Sequence, residues 1–279
     1  MADPSLVRKW LPTKLLKLSA GLHVIGVATL AVFPRTWPYV LSTMFADHLV
    51  IAGAAIWPRS RLLGPNMTTL PLEAARAGQV ALTFDDGPDP RVTPEVLSIL
   101  DRHSAKASFF CIGRRAEAAP DLVSEIVRRG HSVENHTYRH SNAFSFFSPR
   151  ALGREVDRAQ AVLGELSGSA PQYFRAPAGV RSPWLEAVLV SRGLRLVSWT
   201  RRAFDTMTDD VGKVVARLTD GVAAGDVLLL HDGSAAGLRR GRPVVVDALP
   251  RVLEELASKE LSAVALPPRS MEHSGPHDR

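Results

Sequence analysis

Cysteine is nearly absent from this 279-residue chain. The single Cys111 excludes any intrachain disulfide. Its place inside the apolar run Ala107-Ser-Phe-Phe-Cys-Ile112, with no histidine beside it, marks a small buried hydrophobe and not a nucleophile. Aromatic residues are sparse as well, at 6%, and after residue 61 no basic stripe is interleaved with them. The net charge of +6 is deceptive for that reason. Within residues 1–61, Arg8, Lys9, Lys14, Lys17, Arg35, Arg59 and Arg61 stand against only Asp3 and Asp47, so the rest of the chain is close to neutral. A nucleic-acid partner needs a basic footprint on the folded domain, and that class is excluded.

Formal charge is missing altogether from Leu18 to Pro34, a run at the short end of what spans a bilayer. A second stretch, Thr36 to Pro58, carries one formal charge, Asp47, with His48 beside it. An Asp costs about 2.5–3.5 kcal/mol on insertion scales, an amount its apolar neighbours roughly offset. Asp47 and His48 are expected to make a polar contact between two membrane helices. The small-x-small site of a cleaved signal peptide is missing too, and a second apolar run follows the first at once. Residues 1–66 therefore read as a membrane-anchoring segment of one or two helices, closed by a linker, Arg59 to Asn66, with a Gly64-Pro65 break. The basic flanks favour both ends of a hairpin on the cytoplasmic face of a membrane, expected to be the bacterial inner membrane. If Asp47 instead keeps the second stretch from inserting, one span remains and the barrel lies outside.

After the linker, strand-like and helix-like runs alternate. The spacing predicts seven strands: Gln79–Phe84, Lys106–Ile112, His131–Asn135, Tyr173–Ala176, Arg195–Thr200, Asp226–Leu230 and Ser262–Leu266. Thr93-Pro94, Ser148-Pro149 and Ser182-Pro183 are expected to open helices between them, with Thr93 as an N-cap, and Pro250 to break or bend the last. Such alternation implies parallel strands covered by helices, and seven repeats favour an irregular closed barrel over residues 67–267. The Pro-rich tail, 268–279, is expected to be disordered.

Parallel α/β folds present their chemistry at the carboxyl ends of strands, and four polar clusters obey that placement. The first strand ends in Asp85-Asp86-Gly87-Pro88. An Asp-Gly turn explains one carboxylate; two in the same mouth need a cation, which leaves the second free as a base. The third strand ends in Glu134-Asn-His-Thr-Tyr-Arg-His140. His136 and His140, four apart, fall on one face of a helical turn, a spacing that zinc sites use. His131 reads as structural. Arg175, after the fourth strand, can hold a carboxylate ionised and aimed. His231 emerges where the buried run Val227-Leu-Leu-Leu230 meets the mouth, placed as a general acid.

Together these pieces resemble the polysaccharide deacetylase family, the NodB-homology domain of carbohydrate esterase family 4, over about residues 79–267. The resemblance rests on Thr-Phe-Asp-Asp-Gly-Pro (83–88), Asn-His-Thr-x-x-His (135–140), Arg-x-Pro-x-Gly (175–179) and Leu-His (230–231). It implies a distorted (β/α)7 barrel, here preceded by the helical hairpin, and a hydrolase that removes an N-acetyl group from a sugar or polysaccharide. It also implies that Asp86, His136 and His140 hold a divalent metal, usually zinc, with cobalt or manganese as substitutes. Asp85 becomes the base, steered by Arg175, and His231 the acid, oriented by Asp205. Ala178, Trp199 and Leu230 are implied to form the substrate site, the backbone N–H of Ala178 facing the oxyanion. Arg202, Thr206 and Ala178 depart from the residues the family often carries there, an acidic, an aromatic and a bulky one. Those departures suit an acylated or lipid-linked sugar more than a long glycan. Removal of an acyl or formyl group from a lipid-linked amino sugar is thus the alternative within the same chemistry. A membrane-anchored sugar-binding protein without catalysis is the alternative from another class, and it has no use for both a base and an acid.

Overall fold

The computed structural model describes residues 9–233, 238–239 and 242–268. Two long helices come first, α1 (Lys14–Val32) and α2 (Trp37–Ile56), joined by a single 3-10 turn, Pro34–Thr36. At about 1.5 Å per residue, the 19 residues of α1 reach roughly 28 Å, close to the apolar thickness of a bilayer. Their outward side chains are apolar and open: Leu18, Val24, Ile25, Tyr39 and Phe45 are all more than 60% exposed. The two helices are compatible with a membrane segment. Gly26 lets them approach closely, because a Cβ there would lie 2.6 Å from the Met44 side chain. Asp47 does contact the other helix, its Oδ2 accepting a 2.6 Å hydrogen bond from Ser19. His48 meets the ring of His23 edge-on at 5.0 Å.

The linker is docked and not loose. Arg181, 2% exposed, donates to the carbonyl of Ser60 at 2.9 Å, and its own N–H bonds the Ala55 carbonyl at the end of α2. Asn66 donates to Pro58 and Ser60, while Arg59 reaches the carbonyl of Thr200 at 2.7 Å.

The helix α3 (Leu72–Arg76) leads into β1 (Gln79–Asp85). The alternation that follows is α4 (Thr93–Arg102), β2 (Ser108–Cys111), α5 (Gly113–Ala118), α6 (Pro120–Arg128), β3 (Ser132–Asn135), α7 (Pro149–Ser167), β4 (Tyr173–Phe174) and α8 (Leu185–Val190). Next come β5 (Arg195–Leu196), β6 (Arg201–Arg202), α9 (Val211–Thr219), β7 (Val227–His231), a short antiparallel ribbon of β8 (Leu238–Arg239) and β9 (Arg242–Pro243), α10 (Val244–Ser258) and β10 (Ser262–Val264). The main sheet runs β5-β4-β3-β2-β1-β7-β6, all parallel, with β10 pairing the first half of β1 below β2. It curls into a distorted (β/α)7 half-barrel. Of the predicted strand 195–200 only Arg195–Leu196 (β5) is strand; β6 begins just past it, at Arg201, on the opposite edge of the sheet. Between them the chain crosses the opening, where Met67 bridges Val197, so the barrel is curled rather than closed.

Amphipathic helices supply the outer core. Val96, Leu97 and Leu100 of α4 and Val245, Leu249 and Val252 of α10 close over Leu82, Phe84, Leu228 and Leu230, all nearly inaccessible. Asp210 caps α9, accepting from Lys213 N–H, and Ser148 caps α7 likewise. Thr93 departs from expectation. Val92 is the N-cap of α4, and the Thr93 hydroxyl instead donates to Asp232 at 2.6 Å. Pro250 sits inside α10, which continues on both sides of it. Beyond its first residue, the tail expected to be disordered lies outside the described residues.

Candidate active site

Strand pairing assembles the site. Asp85 of β1 stands in register with His231 of β7 and Phe110 of β2, so the ends of neighbouring strands carry both side chains to one mouth. Arg175, just past β4 and 1% exposed, donates to Asp85 Oδ1 at 2.6 Å and to Thr83 Oγ1 at 2.9 Å. Its other N–H groups reach the carbonyls of Val197 and Ser198, and its plane lies 4.0 Å from the Phe110 ring centre. Every side of the guanidinium is engaged, so Asp85 faces a fixed cation.

Asp86 turns the other way, at a left-handed φ of 70°. A Cβ at Gly87 would collide with the Asp232 carboxylate, so only glycine lets the chain leave the strand here. Asp86 Oδ1 lies 3.3 Å from His136 Nε2 and 3.1 Å from His140 Nε2, yet it is buried with no hydrogen-bond partner among the described residues. His136 Nδ1 is 2.9 Å from the Arg175 carbonyl, an acceptor only, so Nδ1 carries the hydrogen and Nε2 keeps its lone pair toward Asp86. The two imidazoles are brought together, with ring centres 4.9 Å apart, but not by a helical turn. Thr137 Oγ1 accepts the His140 N–H at 3.0 Å, and both residues take positive φ. An orphaned carboxylate oxygen between two imidazole nitrogens, one with its lone pair fixed, is the donor set of a divalent metal, and these residues fit one.

Electrostatics set these groups apart. Burial pushes Asp86 toward its neutral form, but the imidazoles of His136, His140 and His231 around it hold it well below the usual carboxylate range. Burial pulls the His231 imidazole down, but Asp205 overcomes it and raises the pKa above that of an ordinary histidine. Asp205 Oδ1 accepts from His231 Nδ1 and Oδ2 from its backbone N–H, each at 2.8 Å. His140 is shifted down, by burial and then by the neighbouring His136.

A cavity of about 300 Å³ opens over these groups. Ala178, at a φ of 54°, and Trp199 line it, as do Arg202 and Thr206. Leu230 does not. Residues alternate faces along β7, so Leu229 and His231 face the cavity while Leu230 packs under the helices. Gly179, which closes the Arg-x-Pro-x-Gly motif, also lines the cavity, as does Asn142, which nothing in the sequence pattern singled out. Asp232, fully buried with its pKa pushed up to about 7 by burial, was likewise invisible without the fold. Cys111 is buried, its thiol pushed well up by burial, and so unreactive. His131 is a neutral core residue, drawn down to about 4 mainly by burial.

A curled parallel barrel with two carboxylates at one strand end, a histidine pair and a carboxylate-held histidine defines a hydrolase of the NodB-homology type. A profile of the polysaccharide deacetylase family matches residues 73–197. A chitooligosaccharide deacetylase of Azorhizobium caulinodans is 35% identical over 210 residues, 70% of this chain and 98% of that protein. A peptidoglycan-N-acetylglucosamine deacetylase of Bacillus cereus is 32% identical over 196 residues, 68% of this chain and 67% of that protein. Among solved structures, a peptidoglycan N-acetylglucosamine deacetylase bound to a benzamide superposes with a TM-score of 0.65 at 29% identity, over 75% of this chain and 94% of that one. The chain belongs to the polysaccharide deacetylase family, the hydrolases of carbohydrate esterase family 4.

Proposed function

We propose that this protein is a metal-dependent N-deacetylase of an amino sugar, held at a membrane by its N-terminal hairpin. One observation carries the chemistry: the orphaned Asp86 oxygen facing two histidine nitrogens, flanked by a carboxylate locked to arginine and a histidine locked to aspartate. Asp86, His136 and His140 would hold the metal, zinc by their mixed carboxylate and imidazole set. When bound, a divalent ion supplies Lewis-acid polarisation of the acetyl carbonyl and of the attacking water. Asp85, oriented by Arg175, takes the proton of that water as it attacks the amide carbon. His231, protonated through Asp205, gives its proton to the sugar nitrogen as the C–N bond breaks. Acetate and a free amino sugar leave. The Ala178 backbone N–H is placed at the cavity wall for the developing oxyanion. Trp199 forms the floor on which a sugar face packs.

Amide chemistry of this kind serves a peptidoglycan or chitin-like glycan, the substrates named for the relatives, and equally an acyl or formyl group on a lipid-linked amino sugar. The second reading is favoured by the docked linker: Arg59 bonds the carbonyl of Thr200, next to Trp199, which ties the end of the apolar hairpin to the cavity wall. With Arg8, Lys9, Lys14 and Lys17 before α1 and Arg59 and Arg61 after α2, the positive-inside rule sets the barrel on the cytoplasmic face.

Incubating the zinc-loaded protein with N-acetylated oligosaccharides and with a lipid-linked N-acyl amino sugar, then reading mass loss, tests the activity. No loss from any of them would overturn it. An alkaline phosphatase fused after Asn66 reports sidedness, and strong phosphatase activity would overturn the cytoplasmic placement.

A further inference from the structure

Arg202 lines the reactive cavity with its charge unanswered. It pairs with Leu229 in the β6–β7 register, and residues opposite one another in paired strands share a face. Its side chain therefore runs inward on the side of Leu229 and His231, and it lines the cavity with them. The preceding residue, Arg201, points to the other face and is neutralised by Asp226 at 2.8 Å. Among the described residues Arg202 has no such partner: its Nε is buried without a hydrogen bond. Two aromatic rings hold it, Trp199 with its centre 5.4 Å from Cζ and Phe204 at 4.8 Å. Those contacts fix the guanidinium by its faces and leave the N–H edge available. Neither carboxylate of the cavity answers it: Asp85 is held by Arg175, and Asp86 lies between the His136 and His140 imidazoles. A half-buried cation without an anion is costly, and the anion that would complete it has to come with the substrate.

We propose that Arg202 binds an anionic group, a phosphate or a carboxylate, carried on the same sugar unit as the amide that is cleaved. The proposal rests on the deacetylase reading and narrows its substrate to an acidic amino sugar. The small cavity, about 300 Å³, confines the anion to that sugar or to its first linkage. The arginine fork matches both oxyanions in geometry.

Three substrates matched except in charge separate the possibilities: a neutral methyl glycoside of N-acetylglucosamine, its 1-phosphate, and an ether of the same sugar bearing a carboxyl group. The zinc-loaded full chain should show a kcat/KM for one of the two anions at least about tenfold above the neutral sugar, the scale of one charge-assisted hydrogen bond. R202Q should collapse that ratio and R202K, which keeps the charge, should restore part of it. The preferred arm identifies phosphate or carboxylate. A ratio that is the same in R202Q as in the natural protein, or no anion preference at all, overturns the proposal. If no compound is hydrolysed, the deacetylase reading fails by itself. Calorimetric binding of the same three compounds then decides the anion site: tighter anion binding that R202Q abolishes supports it, and equal binding refutes it.

Discussion

Replacing Asp205 with Asn removes one charge from a residue that is 4% exposed while keeping its shape. In the natural protein its two oxygens accept from His231 Nδ1 and from the His231 backbone N–H, both at 2.8 Å. Burial alone would lower the imidazole pKa, and Asp205 reverses the sign. A hydrogen bond to a charged group contributes about 1.5–3 kcal/mol, and one pKa unit corresponds to about 1.4 kcal/mol. Losing the charge should therefore lower the His231 pKa by about one to two units. His231 donates its proton to the departing nitrogen, so activity is present below its pKa and is lost as pH rises through it. The alkaline limb of kcat against pH should lie above the ordinary histidine range in the natural protein. In Asp205→Asn it should move down by about one to two units, with plateau kcat reduced about 10²-fold or more. The assay is kcat across the pH range on an N-acetylated oligosaccharide, with bound zinc measured in parallel. An alkaline limb at the same pH in both proteins would refute His231 as the proton donor held by Asp205.

The carboxylate pair should divide its labour. Asp85→Asn should retain zinc and lose about 10²–10⁴ in kcat, whereas Asp86→Asn should lose the metal as well; metal analysis beside kinetics separates them, and identical behaviour refutes the division. His136→Ala should release most of the zinc, because the two remaining ligands hold it poorly, and full occupancy in that variant refutes the ligand set. Gly87→Ala forces a Cβ onto the Asp232 carboxylate, so its melting temperature should fall by several degrees; an unchanged melting curve refutes the contact. Arg181→Met removes the buried donors that hold the carbonyls of Ser60 and Gly64, and cleavage within 59–66 by a protease should become faster while barrel activity toward soluble sugars persists.

Much of this protein is written in its sequence. The runs of Val, Leu and Phe at Gln79–Phe84 and Val227–Leu230 can only be buried parallel strands, and the polar residues that interrupt them at Asp85, Asp86 and His231 mark the ends where the chemistry sits. The spacing of His136 and His140 indicated a pair, because both lie within one short turn of chain. Local pattern and strand period are properties of neighbouring residues, so sequence alone carries them.

Tertiary structure decided what depends on residues far apart in the chain. The stretch predicted as one strand, 195–200, keeps only β5 at its start, and the chain re-enters the sheet as β6 at the far edge, because which segment meets which edge is a matter of global closure. The pairing of Thr93 with Asp232, 139 positions apart, replaced an expected helix cap, since a buried carboxyl with one free acceptor outcompetes a local turn. The strand register put Leu229 rather than Leu230 on the cavity wall, a one-residue difference that reverses the face. Arg181 became the bolt of the linker and Arg202 the open cation of the site only when the fold chose their neighbours. A charge in a sequence has no partner until three dimensions supply one, and in water a guanidinium does not need one; burial creates the need, and burial is decided by the fold.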